Sequence, residues 1–385
     1  MASVLISCGE PSGDLYAGAL TRELTRLRPG LRVAGLGGDH LRAAGADLVG
    51  DYRGLAVTGL VEALRVLPHA WRTRAALVAR ARADRPDAVV LIDFPDFNFH
   101  LAAALKPLGI PIVYYICPQV WAWRRGRIRT MQRFVDQALV IFPFEEPIYR
   151  EAGIPVSFVG HPLLDLAVAT ADRRSVLAEA GLRLDAPTVA VLPGSRPNEL
   201  RAVLPTLAAA VPLIVRRLPD VQFLVARAPN LPDELFAPVA VLARTVRIGM
   251  LESRADDVLA ASDVVVTASG TATVQTAIHE RPMVIVYRVS PMSYALGKRF
   301  LTVSTYGMAN LVAGERIVPE LIQETFTPEA VAAETLRYFE DGAYAERTRA
   351  RLRDVRAKLG APGASRRAAE QVLAVCDRAG RHSPS

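Results

Sequence analysis

Cysteine is scarce in this chain of 385 residues: Cys8, Cys117 and Cys376 are the only three, and none stands in a CxxC spacing. That leaves neither a disulfide framework nor a cysteine-based zinc module, and a reducing compartment is the expected setting. Lysine is equally scarce, at Lys106, Lys298 and Lys358, so the net charge of +7 rests almost wholly on arginine. No apolar run approaches the roughly 20 residues of a membrane span, and the N-terminus has no basic stretch of the kind that opens a secretory signal. The chain is therefore expected to be cytoplasmic and not to cross a bilayer. There is no helix-turn-helix, no RNA-binding aromatic signature and no clustering of the basic residues, which argues against nucleic acid. Phosphorylated small molecules or anionic lipid headgroups suit such a surface better, with a plain solvated arginine face as the alternative. Repeats of solenoid length and low-complexity segments are also absent.

What is present is a βα alternation in a chain that is 51% apolar, enough material for about two domains. Apolar, β-branched runs at 4–8, 32–36, 88–92, 112–116, 138–142 and 156–159 alternate with helical patterns. The series restarts after Gly160-His161-Pro162, with strand-like runs at 188–192, 222–226, 246–248, 263–267 and 283–286. Two α/β units with mostly parallel sheets are expected, receiving ligands at the carboxyl ends of their strands and in a cleft between the units. From about Pro328 the pattern is helical, broken at 360–363. The expected boundaries are 1–168, 169–345, a pair of returning helices over 346–378 and a disordered tail over 379–385.

Several loops carry chemistry. The first strand breaks into Gly9-Glu10-Pro11-Ser12-Gly13-Asp14, where small residues give a ligand close access to backbone and Asp14 is placed to cap the following helix; a tight βα turn would need the same glycines. The run 188–192 leads into Pro193-Gly194-Ser195-Arg196-Pro197-Asn198-Glu199, a strand feeding a helix start beside a fork-shaped guanidinium. That suits a diphosphate, although it is not a Walker loop and Ser195 capping is the structural alternative. Ala268-Ser269-Gly270-Thr271-Ala272-Thr273 repeats the arrangement, with Gln275 one turn further in and able to face a ribose hydroxyl; two ordinary βα turns are the alternative. Asp93-Phe94-Pro95-Asp96-Phe97-Asn98 sets two carboxylates and an amide beyond a buried strand, with Asp96 the leading candidate for a general base and Glu10 and Asp14 competing. Trp121, Trp123 and Arg124 follow Pro118 in a stretch that reads as an acceptor pocket or as core aromatics with a basic rim. Residues 60–82 mix Leu64, Leu67, Trp71 and Leu77 with five arginines, as in a membrane-surface helix or an ordinary amphipathic one interrupted by Pro68.

Taken together, GEPSGD at 9–14, FPDFN at 94–98, PQVWAWRRGRI at 118–128, FPFE at 142–145, VGHPLLD at 159–165, LPGSRPNE at 192–199, ASGTAT at 268–273 and ANLVAGE at 309–315 resemble the lipid-A-disaccharide synthase family. The match runs in order over nearly the whole chain. The resemblance implies an inverting glycosyltransferase of α/β GT-B architecture, two Rossmann-like domains across a cleft with C-terminal helices packing back over the boundary. It implies transfer of 2,3-diacylglucosamine from UDP onto 2,3-diacylglucosamine 1-phosphate in a β-1,6 linkage, with release of UDP and no metal or other cofactor. It implies a peripheral enzyme on the inner face of the cytoplasmic membrane and leaves a homodimer open. On that pattern Asp96, Arg196 and Asn310 are the catalytic positions. Substrate contacts fall to Glu10, Ser12, Gly13, Asp14, Asn98, Trp121, Trp123, Arg124, Gly194, Ser195, Glu199, Ser269, Gly270, Thr271 and Gln275. Position 275 departs from the pattern, being Gln where the family usually has Glu. Related readings are a UDP-sugar 2-epimerase, an undecaprenyl-linked glucosaminyltransferase or a non-catalytic sugar-nucleotide or lipid-binding protein.

Overall fold

The computed structural model describes residues 2–55, 60–120, 126–288, 305 and 307–382. They form two compact units, one of residues 1–162 and 359–385, the other of residues 163–358.

The first unit is built on seven parallel strands: β1 (Ser3–Cys8), β2 (Arg32–Gly37), β3 (Asp47–Asp51), β4 (Ala88–Ile92), β5 (Ile112–Tyr115), β6 (Gln137–Val140) and β7 (Val156–Phe158). Their order in the sheet is β3-β2-β1-β4-β5-β6-β7. The helices α1 (Pro11–Leu27), α2 (Asp39–Ala43), α3 (Leu60–Asp84), α4 (Pro95–Leu105), α5 (Arg127–Phe134) and α6 (Glu145–Glu151) lie between them in sequence. β1, β4, β5 and β6 are buried over their whole length, which is why they read as continuous apolar runs rather than as alternations.

The second unit repeats the plan with β8 (Thr188–Leu192), β9 (Gln222–Arg227), β10 (Ile248–Glu252), β11 (Val264–Ala268), β12 (Met283–Tyr287) and β13 (Glu320–Ile322). These are parallel in the order β10-β9-β8-β11-β12-β13. Its helices are α7 (Leu163–Leu166), α8 (Arg173–Glu179), α9 (Pro197–Arg217), α10 (Ala237–Leu242), α11 (Ala255–Ala260), α12 (Thr271–Ile278), α13 (Met308–Ala313), α14 (Pro328–Glu340) and α15 (Gly342–Lys358). By length and mean hydropathy (1.3) α9 alone among the described residues would suit a membrane. Its Leu200, Val203, Leu204, Leu207 and Ile214 are instead buried in the core of the unit, and it packs on α14.

Of the described helices after β13, only the last, α16 (Ala364–His382), belongs to the first unit, packing on α1. The expected pair of returning helices is thus one helix, and the junction falls at 358/359 rather than 345/346. The return is fastened by the His161 N–H donating to Leu359 O (2.9 Å) and by Arg367 Nε donating to Val159 O (2.8 Å). The first junction lies at 162/163, a turn before the expected 168/169.

Candidate functional site

In each sheet the chain winds outward in both directions from two neighbouring strands, β1 and β4 in the first and β8 and β11 in the second. At such a reversal of strand order the following helices diverge and leave room at the carboxyl ends. The four loops singled out in the sequence are the four that leave these strands.

In the first unit the loops after β1 and β4 touch. Gly9 runs so close to Phe94 that a Cβ there would lie 2.1 Å from the ring. Glu10 is the N-cap residue of α1 and Pro11 its first residue. Ser12 is half-buried and Gly13 buried against Cys8. Asp14 lies inside α1, so it does not cap that helix. Its carboxylate accepts from the N–H groups of Gly38 (2.7 Å), His40 (2.9 Å) and Leu41 (3.1 Å), capping α2 across the sheet edge. Asp14 is buried with both oxygens engaged, so it supports the loop.

The loop after β4 is strained. Asp93 and Phe94 both have positive φ (46° and 48°), which for a phenylalanine is a conformation that surrounding structure must enforce. The Asp93 carbonyl accepts from Tyr114 Oη (2.7 Å) and from Asn98 Nδ2 (2.8 Å). Asn98 is buried and also accepts from Ser7 Oγ (2.7 Å), so this amide ties β1 to the strained turn. The turn delivers Asp96 to the first helical turn of α4, where its carboxylate pairs with Arg127 of α5. Burial holds the Tyr114 phenol far above its ordinary titration range, so it stays a donor. Tyr114 and Arg127 bound the stretch whose arginines the sequence places near an acceptor phosphate; the pairing of Arg127 with Asp96 is what the structure adds. Trp121, Trp123 and Arg124 lie outside the described residues.

In the second unit Gly194 has φ +122° and its missing side chain makes room for Glu199, whose Oε2 a Cβ would approach to 2.7 Å. Arg196, not Ser195, is the N-cap residue of α9, and it makes no side-chain cap. The Ser195 N–H instead donates to Glu199 Oε2 (3.0 Å), and Arg196 Nη1 lies 3.4 Å from Glu199 Oε1. Glu199 is a carboxylate among the groups that suit a diphosphate, so it arranges those donors and cannot itself attract the anion. After β11, the Ser269 N–H donates to Val286 O (3.0 Å) and Gly270 (φ +147°) opens α12 with no side-chain cap, in a direction where a Cβ would meet nothing within 4 Å. Thr271, the first residue of α12, is exposed. Two glycine turns on adjacent strands each present a helix start without a side-chain cap, an arrangement whose free N–H groups suit an anion.

Asn310 is buried in α13, where its Oδ1 accepts from the N–H groups of Ile317 (2.8 Å) and Val318 (3.0 Å) and its Nδ2 donates to Val318 O (3.0 Å) and Glu320 Oε1 (2.7 Å). With four protein partners it positions the segment leading into β13. Gln275 directs Nε2 toward the carboxylate of Asp256 on α11 (3.4 and 3.5 Å), which also bonds His279.

The family model described as lipid-A-disaccharide synthetase matches residues 4–375. The lipid-A-disaccharide synthase of Geobacter metallireducens is 44% identical over 370 residues, 96% of either chain, and that of Syntrophus aciditrophicus 42% identical over 370 residues, 96% of this chain and 97% of that one. Among solved structures, the UDP-GlcNAc 2-epimerase of Neisseria meningitidis bound to UDP-GlcNAc superposes with TM-score 0.68 at 13% identity, covering 97% of this chain and 100% of that one. The calicheamicin glycosyltransferase CalG4 gives 0.61 at 17%, with full coverage of both chains. These two likenesses establish the fold as GT-B. With the family model spanning both units and relatives above 40% identity over nearly their whole length, this chain belongs to the lipid-A-disaccharide synthetase family.

Proposed function

We propose that the chain performs the lipid A disaccharide-forming step by inverting displacement at the anomeric carbon of UDP-2,3-diacylglucosamine, with the 6-hydroxyl of 2,3-diacylglucosamine 1-phosphate as nucleophile. The acceptor oxygen forms its bond to the anomeric carbon while the bond from that carbon to the diphosphate oxygen breaks, the electron pair leaving with UDP. The acceptor proton passes to Asp96. The observation that carries this reading is Asp96 itself, an accessible carboxylate on a backbone turn locked by Tyr114 and Asn98 and braced by Arg127. The harder half of the reaction is charge on the leaving group. Arg196 and the first-turn N–H groups of α9 and α12 supply preorganised positive potential for it, at no reorganisation cost as the bond breaks. Asn310, Asn98 and Asp14 act through the groups they hold.

Acylated substrates reside in a membrane, and α3 offers a means of meeting one. Leu67 and Trp71 are exposed on it beside Arg72, while Thr73, Leu77 and Ala81 on its other side are buried in the unit. An apolar pair rimmed by arginine suits the interface of an anionic bilayer.

The test is UDP release by purified protein given the diacyl donor and acceptor. Arg196→Ala is expected to weaken UDP binding by about ten- to a hundredfold, the scale of a lost charge-assisted hydrogen bond. Tight UDP binding without turnover would replace this reading with that of a sugar-nucleotide binding protein.

A further inference from the structure

Residues 271, 275 and 279 follow one another at four-residue spacing on α12, so Thr271, Gln275 and His279 form a row running inward from the Gly270 turn. The row ends on Asp256, in the first turn of α11. Asp256 Oδ1 lies 3.0 Å from His279 Nε2 and 3.4 Å from Gln275 Nε2, and its Oδ2 lies 3.5 Å from Gln275 Nε2. All three side chains are half-buried.

A primary amide has two unlike ends, two N–H donors and one carbonyl acceptor, and a carboxylate can only accept. Asp256 therefore admits one of the two orientations of the Gln275 amide. The ring of His279, whether as its Nε2–H tautomer or as imidazolium, donates to the same carboxylate and holds it in place. We propose that Asp256, braced by His279, is a positioning residue that turns the Gln275 carbonyl oxygen toward the ribose hydroxyls of the nucleotide held at the Gly270 turn. Each hydroxyl can donate or accept, but a carbonyl oxygen fixed toward the pair can take a hydrogen bond from both at once, an arrangement lost whenever the amide turns its NH2 end to them.

The inference rests on the UDP reading above and reverses a simple expectation about position 275. A glutamate there accepts hydrogen bonds more strongly than glutamine, so Gln275→Glu would ordinarily strengthen a grip on hydroxyl groups. Here the new carboxylate would lie within about 3.5 Å of Asp256, and two like charges at that separation repel. Gln275→Glu is thus expected to weaken binding, and neutralising Asp256 to restore it.

Calorimetric titration with UDP and with 2′,3′-dideoxy-UDP separates the ribose contribution from that of the uracil and phosphates. The wild-type protein is expected to prefer UDP about tenfold or more, the scale on which a site built for a hydroxyl rejects its deoxy analogue. In Asp256→Ala the preference should fall several-fold while affinity for the dideoxy compound stays put; a variant that was simply unfolding would lose both. Gln275→Glu should bind UDP about tenfold more weakly, and Gln275→Glu combined with Asp256→Asn should recover most of that loss. Undiminished ribose preference in a folded Asp256→Ala, or a Gln275→Glu that binds UDP as tightly as wild type, overturns the inference while wild-type turnover leaves the UDP reading intact. A wild-type protein that neither binds UDP nor turns over removes both.

Discussion

The carboxylate of Asp96 is paired with the guanidinium of Arg127, and the two differ sharply in exposure: the aspartate side chain is 74% accessible, the arginine 12%. A buried, fork-shaped cation fixes the direction of an accessible carboxylate without blocking it. Asp96→Asn should lower kcat for UDP release by about a hundred- to ten-thousandfold, the usual contribution of a general base, while leaving the calorimetric Kd for UDP unchanged. Arg127→Lys should give a smaller loss than Arg127→Ala, because a lysine keeps the charge but not the planar geometry. Full activity in Asp96→Asn would move the base elsewhere.

Tyr114 and Asn98 share one acceptor, the carbonyl of Asp93, in a turn with two consecutive positive φ angles. Backbone held in such conformations stores about 1–3 kcal/mol per residue, and these two donors keep it there. Tyr114→Phe removes one donor with almost no change of shape. A stability loss of about 1–2 kcal/mol in urea denaturation is expected, together with a fall in kcat that exceeds any change in KM, because the turn aims Asp96. A stability loss without that kcat effect would reduce Tyr114 to a packing residue.

Asn310, a catalytic position on its motif, is held by four hydrogen bonds inside the protein. Each end of its amide meets two polar partners in the buried junction of α13 and β13. Asn310→Ala strands all of them, and a loss of about 2–4 kcal/mol is expected. At about 2–4 °C per kcal/mol for a unit of this size, Tm in a thermal melt should drop by several degrees or more. UDP release per folded molecule, measured well below the new Tm, should survive better in Asn310→Ala than in Asp96→Asn. The reverse order would return Asn310 to the catalytic group.

Both sheets were legible in the sequence because their central strands are buried on two faces and so read as unbroken apolar runs, as at Ala88–Ile92 and Thr188–Leu192. β3 and β13 were not, since Asp47–Asp51 is a partly exposed edge with aspartates at both ends and Glu320–Ile322 has three residues. β10 was placed too early, at 246–248, because its alternating exposure at Ile248–Glu252 dilutes the apolar signal. Loops were legible where glycine and proline punctuate a strand end, which located Gly9, Asp96, Gly194 and Gly270. What side chains do inside those loops was not. Asp14 stood where a helix cap belongs and caps a different helix, 24 residues on. Asp256 and His279 lie 23 residues apart on either side of the 268–273 loop, and only the fold brings their side chains within hydrogen-bond distance.

Trp71 (65% exposed) and Leu67 (45%) are large apolar side chains that the first unit leaves uncovered on α3. Trp71→Glu with Leu67→Glu should reduce cosedimentation with vesicles containing about 30% anionic phospholipid at least tenfold, since the swap removes apolar burial and adds repulsion from the lipid charge. UDP binding, proposed for the second unit, should be unaffected. Equal cosedimentation of the double variant would place the membrane contact elsewhere or remove it.

His161 sits buried between the rings of Tyr16 (6.3 Å) and Phe142 (5.3 Å), one residue before the units divide. Burial disfavours its charged form and pulls the imidazole down to about 3, from about 6.5 in an unfolded chain. Above pH 6.5 the ring is neutral in both states and this group adds no pH dependence. Between about pH 6.5 and 3 the unfolded chain binds the proton and the folded one does not, so stability falls with acidification by up to about 1.4 kcal/mol per pH unit. His161→Gln removes that term. The urea midpoint of the wild-type protein should therefore decline more steeply from pH 6.5 to 4.5 than that of His161→Gln, the two curves differing by about 2–3 kcal/mol in slope across the interval. Parallel curves would mean that His161 takes up its proton in the folded protein.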